Sequence, residues 1–328
     1  MEPNIRNIAV LTSGGDAPGM NACIRAVIRT GIYHGRNMFG ITQGYQGLID
    51  NNIQAMDSRS VSNILHMGGT ILKTARCLAF KEEAGMEIAY KNLKEKEIDA
   101  LIVIGGDGTF TGAKRFGEKF GINVIGIPGT IDNDLYGSDF TLGYDTAVNT
   151  IIEAIDKIRD TADSHDRLFF IEVMGRDSGC LALRTAIASG AEAVLLPEKE
   201  TSLKDLITKL RSGADGKKSS SIVIVSEGNK YGGAYDIAKS VKRKFTHYDT
   251  KVTILGHLQR GGSPSGFDRI LGSRLGYAAV NEIIKGETMK MVGLRGNDIR
   301  LTSLEEALHA HNYKLEDDLL EMTHVLSI

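Results

Sequence analysis

Short apolar runs of strand length recur along the chain, each followed by a glycine-rich turn and then a helical pattern. The clearest are Ile8 to Thr12, Leu101 to Ile104, Val124 to Ile127, Phe169 to Val173, Ile222 to Val225 and Val252 to Leu255. Most are rich in Val and Ile without polar alternation, which is how strands buried on both faces read. Of the helical patterns between them, the best covers Asp145 to Asp160, where Val148, Ile151, Ile152, Ile155 and Ile158 fall on one face and the charges on the other. Strand, turn and helix repeated in this way predict an α/β fold with parallel sheets covered by helices. Gly213 to Ser221 (GADGKKSSS) reads as a solvated turn.

The polar residues concentrate just after the carboxyl ends of the predicted strands, where open α/β sheets bind ligands. The first cluster, LTSGGDAPGMN at 11 to 21, follows a strand and opens a helix, with Pro18 near the first turn. Adjacent glycines there let backbone N–H groups approach a phosphate, and the helix start adds partial positive charge. Arg25 and Arg29 share one face of that helix. The second cluster, VIGGDGTF at 103 to 110, sets Asp107 between Gly106 and Gly108, before Thr109. One carboxylate in such a turn suits a nucleotide's magnesium, with phosphate oxygens supplying other ligands. A GGDGT turn also occurs in NAD kinases and diacylglycerol kinases, so by itself it says only that nucleotide phosphate is handled. The third cluster, IPGTIDND at 127 to 134, places Asp132 and Asp134 beside Thr130. Carboxylates so close repel one another unless a cation, a metal or a substrate hydroxyl lies between them.

Composition narrows the classes. At 328 residues the chain has room for two domains, and 42% hydrophobic with 24% charged is an ordinary globular balance. A formal net charge of -2 offers no basic field for nucleic acid. The three cysteines, Cys23, Cys77 and Cys180, are too far apart for a metal cluster and too few for a disulfide framework, which fits a reducing compartment. No apolar run approaches the roughly 18 residues of a membrane span, and no leader pattern is visible, so the expectation is a cytoplasmic protein.

The three clusters are followed in order by GGTILKTARCLAF (68 to 80), SHDRL (164 to 168), EVMGRDSG (172 to 179), VSEG (225 to 228) and LGHLQRGGSPSGFDR (255 to 269). With these the chain resembles the bacterial-type ATP-dependent 6-phosphofructokinase family over nearly its whole length. The resemblance implies two Rossmann-like αβα sandwich domains with mainly parallel sheets and an active site in the cleft between them. It places an ATP-binding large domain at 1–143 plus 259–309, and a fructose 6-phosphate-binding small domain at 144–258 plus 310–328. It further implies transfer of the ATP γ-phosphoryl group to the 1-hydroxyl of D-fructose 6-phosphate, with Mg2+ as cofactor, in a homotetramer with shared active sites.

Carried over residue by residue, the ATP side is Gly14, Tyr45, Arg76, Cys77, Gly106, Asp107, Gly108 and Thr109, with Asp107 on the metal. The sugar side is Thr130, Asp132, Asp134, Met174, Gly175, Arg176, Glu227, His257 and Arg260, with Arg167 and position 251 reaching the 6-phosphate from a neighbouring subunit. Catalysis would fall to Asp132 as proton acceptor, with Arg76, Thr130, Gly14 and Arg176. The transition state of phosphoryl transfer is spread negative charge, which guanidinium groups, magnesium and positioning stabilise. Pyrophosphate-using relatives carry aspartate at the place of Gly108 and lysine at that of Gly129, so the glycines here imply ATP as donor. The alternatives are a pyrophosphate-dependent enzyme and a regulatory paralogue of low activity.

Some positions depart from the pattern. Leu78 and Ala79 replace Pro and Glu of the ARCPEF segment, and Lys251 stands where an arginine is usual, keeping charge but losing the planar donor fork. The family's effector site for ADP or phosphoenolpyruvate is matched by Arg25, Arg29, Arg159 and Glu192. Ser58 replaces an arginine beside Arg59, Asn63 replaces an aspartate, and the basic cluster becomes Lys217 and Lys218 among serines. Weakened effector binding is the expectation.

Overall fold

The computed structural model describes residues 5–163, 167–199, 201–215, 221–309 and 315–327. The chain divides into two compact units, one of Met1–Thr130, Leu135–Thr146 and Arg260–Tyr313, the other of Ile131–Asp134, Ala147–Gln259 and Lys314–Ile328.

The first unit is built on a seven-stranded sheet. Its middle is the parallel set β1 (Asn7–Thr12), β2 (Asn37–Ile41), β4 (Ala100–Gly105), β5 (Asn123–Pro128) and β10 (Lys290–Arg295). The antiparallel strands β3 (Ile53–Met56) and β11 (Asp298–Ser303) close the two edges, giving the order β11-β10-β5-β4-β1-β2-β3. All of β4, ALIVIG, is buried, as expected for a strand covered on both faces. On one face Phe110, Phe116, Tyr45, Phe80 and Leu93 pack into a core with Leu101 and Val103. Each such side chain, once buried, contributes about 1.5–3 kcal/mol. The helices that supply them include α2 (Gly44–Ile49), α3 (Glu83–Glu95) and α4 (Asp107–Phe120). The helix α1 (Met20–Tyr33) packs against α9 (Gly266–Ile284), where Gly272 and Gly276 let the backbones meet: a Cβ at Gly276 would stand 2.6 Å from the Cys23 carbonyl. The helix α10 (Leu304–Leu308) begins with a capping box between Ser303 and Glu306.

The second unit carries an all-parallel four-stranded sheet of order β7-β8-β6-β9. Its strands are β6 (Arg167–Val173), β7 (Ala193–Leu195), β8 (Ser221–Ser226) and β9 (Asp249–Ile254). Its helices are α6 (Cys180–Ala188), α7 (Leu203–Asp215), α8 (Ala234–Lys242) and α11 (Asp317–Val325), and α5 (Tyr144–Asp163) starts in the first unit and continues into this one. Leu168, Phe170, Val223 and Val225 pack with Leu206, Leu210, Ile237 and Val241. Among the described residues no helix is long and apolar enough to cross a membrane.

Each of the six strands read from the sequence is present, and the patterned helix runs Tyr144–Asp163. The reading of Gly213 to Ser221 as a turn is corrected at both ends. The α7 helix continues through Gly213 to Asp215 because Gly213 lies on its buried side, and Ser221 opens β8; residues 216–220 lie outside the described ones.

Candidate functional site

In the first unit, β5, β4 and β1 are neighbours and point the same way, so the loops leaving their carboxyl ends lie side by side. These are the three polar clusters. The strand order reverses around β1, with β2 on one side and β4 on the other, which is the switch point at which open α/β sheets form a ligand crevice. Backbone bonds stitch the loops together: Ser13 N–H donates to the Ile104 carbonyl at 3.0 Å, and Gly129 N–H to the Gly105 carbonyl at 2.9 Å. Gly14, at φ 84°, is exposed, and a Cβ there would lie 3.5 Å from Thr109 Oγ1.

The α4 helix opens at this seam. Gly106 is its N-cap and Asp107 its first residue, exposed, where the free N–H groups and helix dipole favour negative ligands. A Cβ on Gly108 would meet nothing within 4 Å, so open space lies over the helix start. Thr109 is 3% exposed, and its hydroxyl finds no hydrogen-bond partner among the described residues. Tyr45 reaches the same helix from inside the core: its hydroxyl donates to the Thr109 carbonyl at 2.6 Å and its ring stacks on Phe80. Burial raises the Tyr45 phenol far above its ordinary pKa, so it stays protonated. Arg76 is exposed and makes no ion pair among the described residues, and Cys77 beside it is half-buried against the core. The Arg260 guanidinium lies where a side chain on Gly15 would be, 1.9 Å from a built Cβ, and donates to the Asp16 carbonyl. Thr130 is 8% exposed, and its carbonyl accepts from Thr141 Oγ1 at 2.5 Å.

In the second unit the loops after β6, β8 and β9 again come from adjacent parallel strands. Met174, Gly175 and Arg176 follow β6. Gly175, at φ 137°, allows Ser178 O to come within 2.3 Å of where a Cβ would sit, and Arg176 itself has φ 51°. Such conformations cost roughly 1–3 kcal/mol for a residue with a side chain and gather at functional loops. Asp132 is 3% exposed, its carbonyl accepts from Ser178 Oγ at 2.8 Å, and its carboxylate faces Arg176 Nε at 3.8 Å. The Arg176 side chain is 66% exposed, so this long pair leaves its guanidinium open to an anion. Glu227 and His257 are exposed and Asp134 is half-buried. Arg167 and Lys251, on paired strands, both face Asp249: Lys251 Nζ lies 2.8 Å and Arg167 Nε 3.9 Å from its Oδ2. The Lys251 ammonium, then the Arg167 guanidinium, hold the Asp249 carboxyl below its usual range.

The residues matched to an effector site divide between the units. Arg25, half-buried, and Arg29, exposed, lie on α1, and exposed Arg59 follows a turn in which Asp57 accepts the Arg59 and Ser60 N–H groups. In the other unit Arg159 donates to the Ser189 carbonyl and Glu192 is 7% exposed. Lys217 and Lys218 lie outside the described residues.

Sequence reasoning assigned no role to residues that shape these loops by holding distant backbone, among them Gln259 within the 255–269 segment. Gln259 is buried, accepts Met174 N–H at 3.0 Å and donates to the Gly256 carbonyl, fixing the loops after β6 and β9. Asp249 had a signal: two residues before Lys251 on a strand, it lies on the same face.

A family model described as Phosphofructokinase matches residues 7–283. The chain is 52% identical over 324 residues to a Bacteroides thetaiotaomicron protein named ATP-dependent 6-phosphofructokinase 2, covering 99% of each. It is 50% identical over 325 residues to a Staphylococcus epidermidis protein named ATP-dependent 6-phosphofructokinase, covering 99% of this chain and 100% of that one. The solved phosphofructokinase of Saccharomyces cerevisiae superposes with TM-score 0.89 at 34% identity over 98% of this chain, which spans 48% of that longer one. A pyrophosphate-dependent phosphofructokinase from Marinobacter aquaeolei, at 21% identity and TM-score 0.82, shares the fold. Strand-end loops of this composition, on this sheet order, with half of all positions shared over full length, have one source: the chain belongs to the phosphofructokinase family.

Proposed function

We infer that the chain is an ATP-dependent 6-phosphofructokinase, which transfers the γ-phosphoryl group of ATP to the 1-hydroxyl of D-fructose 6-phosphate. The observation that carries this reading is the open, glycine-lined start of α4, with the adjoining loops after β1 and β5, in a chain matched along its length by proteins of that name. The first unit then binds the nucleotide through Gly14, Arg76, Cys77, Gly106, Gly108 and Thr109, with Tyr45 holding Thr109 from beneath. The second binds the sugar phosphate through Asp132, Asp134, Met174, Gly175, Arg176, Glu227 and His257, and the family's pattern adds Thr130 and Arg260.

Asp107 would hold magnesium, the ion's remaining needs being met by the bound nucleotide. Asp107 offers a hard oxygen at a helix start with open space above the next residue, and the described residues hold no cluster of three or more ligating side chains. When bound, the ion would neutralise charge on the transferred phosphate. The chain's own groups do the rest. The sugar's 1-hydroxyl oxygen bonds to the γ-phosphorus as the bond to ADP breaks, and its proton passes to Asp132. A carboxylate is a weak base towards an alcohol, so that proton moves late, once the new P–O bond has begun to form. Arg76 balances charge spreading over the donor and transferred groups.

The pyrophosphate alternative is disfavoured by Gly108, which leaves empty the volume that an aspartate fills in such relatives. We further propose a cytoplasmic homotetramer in which Arg167 and Lys251 serve the 6-phosphate of a neighbouring subunit. Its response to ADP and phosphoenolpyruvate would be weakened because Ser58 and Asn63 have lost the family's charges. Steady-state assays of purified protein with fructose 6-phosphate and either donor, with ADP and phosphoenolpyruvate titrated in, test these points. Sigmoidal kinetics relieved by micromolar ADP would contradict the weakened effector site.

A further inference from the structure

The segment carrying Arg76 has almost no regular structure of its own: from Val61 to Leu78 the backbone runs through turns and coil. Something else must fix it, because an arginine that balances a transition state has to be held in place before the reaction. Its anchors come from elsewhere in the first unit, most of them side chains. Asn21, 1% exposed on the first turn of α1, makes the densest set. Its Nδ2 donates to the Met67 carbonyl at 3.1 Å and the Gly68 carbonyl at 3.2 Å, and its Oδ1 accepts the Ile71 N–H at 2.8 Å. Thr12, at the end of β1, donates to the Lys73 carbonyl at 2.9 Å and lies 3.0 Å from the Thr70 hydroxyl. Thr12 has one hydroxyl proton and spends it on Lys73, so Thr70 donates to Thr12 and accepts from Leu72 N–H. Ser263 donates to the His66 carbonyl, and Gln43 N–H to that of Leu72.

We propose that Asn21 is a positioning residue for phosphoryl transfer, locking the Met67–Ile71 backbone to the helix that opens at the first phosphate loop and so fixing Arg76. The geometry is specific to an amide. Both of its ends are used, its donor end on carbonyls and its acceptor end on an N–H, and an aspartate would turn its second oxygen on the Met67 and Gly68 carbonyls. A side chain on Gly68 would stand 2.2 Å from the Gly262 carbonyl, so the segment is trapped on its far side and has little room to find another seat. The proposal rests on the role assigned to Arg76 above.

The test is a double-mutant cycle of Asn21→Asp and Arg76→Ala in the full-length protein, read as kcat and as KM for fructose 6-phosphate. Hydrogen–deuterium exchange of residues 66–73 is measured in the ligand-free protein. Misplacing a catalytic group by an ångström costs about a hundredfold, so Asn21→Asp should lower kcat about ten- to a hundredfold with KM for the sugar phosphate within about twofold. In the Arg76→Ala background the same change should cost about twofold or less. Exchange should quicken at 66–73 and not in the sheet. Thr12→Val, which removes the next anchor without burying a charge, should shift kcat and exchange in the same sense and stands in if Asn21→Asp does not fold. An equal loss in both backgrounds, or unchanged exchange at 66–73, would overturn the proposal while leaving the proposed reaction intact. If Arg76→Ala itself keeps turnover within about twofold, the assigned role of Arg76 fails and the proposal with it.

Discussion

Asp132 is buried to 3% exposure while its ion-pair partner Arg176 is largely in solvent, and the proposed reaction gives the carboxylate the substrate proton and the guanidinium a substrate anion. Asp132→Asn should therefore lower kcat by about 10²–10⁴ while changing KM for fructose 6-phosphate only a few-fold; a KM effect with kcat preserved would assign Asp132 to binding alone. Gly108 tests donor choice. Because a Cβ there meets nothing, Gly108→Asp should fold normally, shown by an unchanged melting temperature, and should weaken ATP use at least tenfold by placing a like charge beside the phosphates. If Lys251 serves the 6-phosphate as proposed, it brings a point charge where a fork would grip better, and it is already engaged by Asp249 at 2.8 Å. Lys251→Arg should lower KM for fructose 6-phosphate, and an unchanged or raised value would remove Lys251 from the phosphate site.

Elements are tied to the site by buried polar contacts, and Asp268 in the first turn of α9 makes several of them. Fully buried, it accepts the Gly143 N–H at 2.9 Å, the Thr146 N–H at 2.8 Å and the Thr146 hydroxyl at 2.5 Å, pinning the start of α5. Gly143 in turn packs on Ala17 and Pro18 of the first phosphate loop. Burial pushes the Asp268 carboxyl above the ordinary aspartate value of 3.8, although the Thr146 and Gly143 hydrogen bonds pull the other way. A raised folded-state pKa favours folding below the unfolded value, and that contribution is lost as pH rises through the folded one. The stability of the native protein relative to Asp268→Asn should therefore decrease between about pH 4 and the raised pKa, read from melting temperatures across that range; an increase would contradict burial as the dominant cause. The strands legible in the sequence were mostly the unbroken Val/Ile runs of sheet interiors, such as ALIVIG of β4. The less legible β2, β3, β10 and β11 lie toward the edges of their sheet, where NMFGI and DIRLTS mix polar residues or glycine with the apolar ones because neighbours cover them unevenly.

For the whole molecule, what could be read early was chemistry concentrated in short segments. Glycine and aspartate crowded after a strand are the signature expected of ligand-binding loops in an open α/β sheet, and the structure places the three clusters on adjacent strands. The supporting roles stayed hidden: Asn21, Gln259 and Asp268 lie within the segments 11–21 and 255–269, but they act on backbone groups 46 to 125 positions away, and nothing local marks an amide or carboxylate for such work. Composition was equally silent on the division into units, since the chain passes between them after Thr130, Asp134, Thr146 and Gln259 without a linker to mark it, and only the family resemblance suggested bounds. The most direct test of the central claim is the initial rate of fructose 1,6-bisphosphate formation by the purified protein from fructose 6-phosphate and magnesium, with either ATP or pyrophosphate as donor. Turnover is expected with ATP and, with pyrophosphate, a rate lower by about a hundredfold or more. Equal or faster turnover with pyrophosphate, or none with ATP, would contradict it.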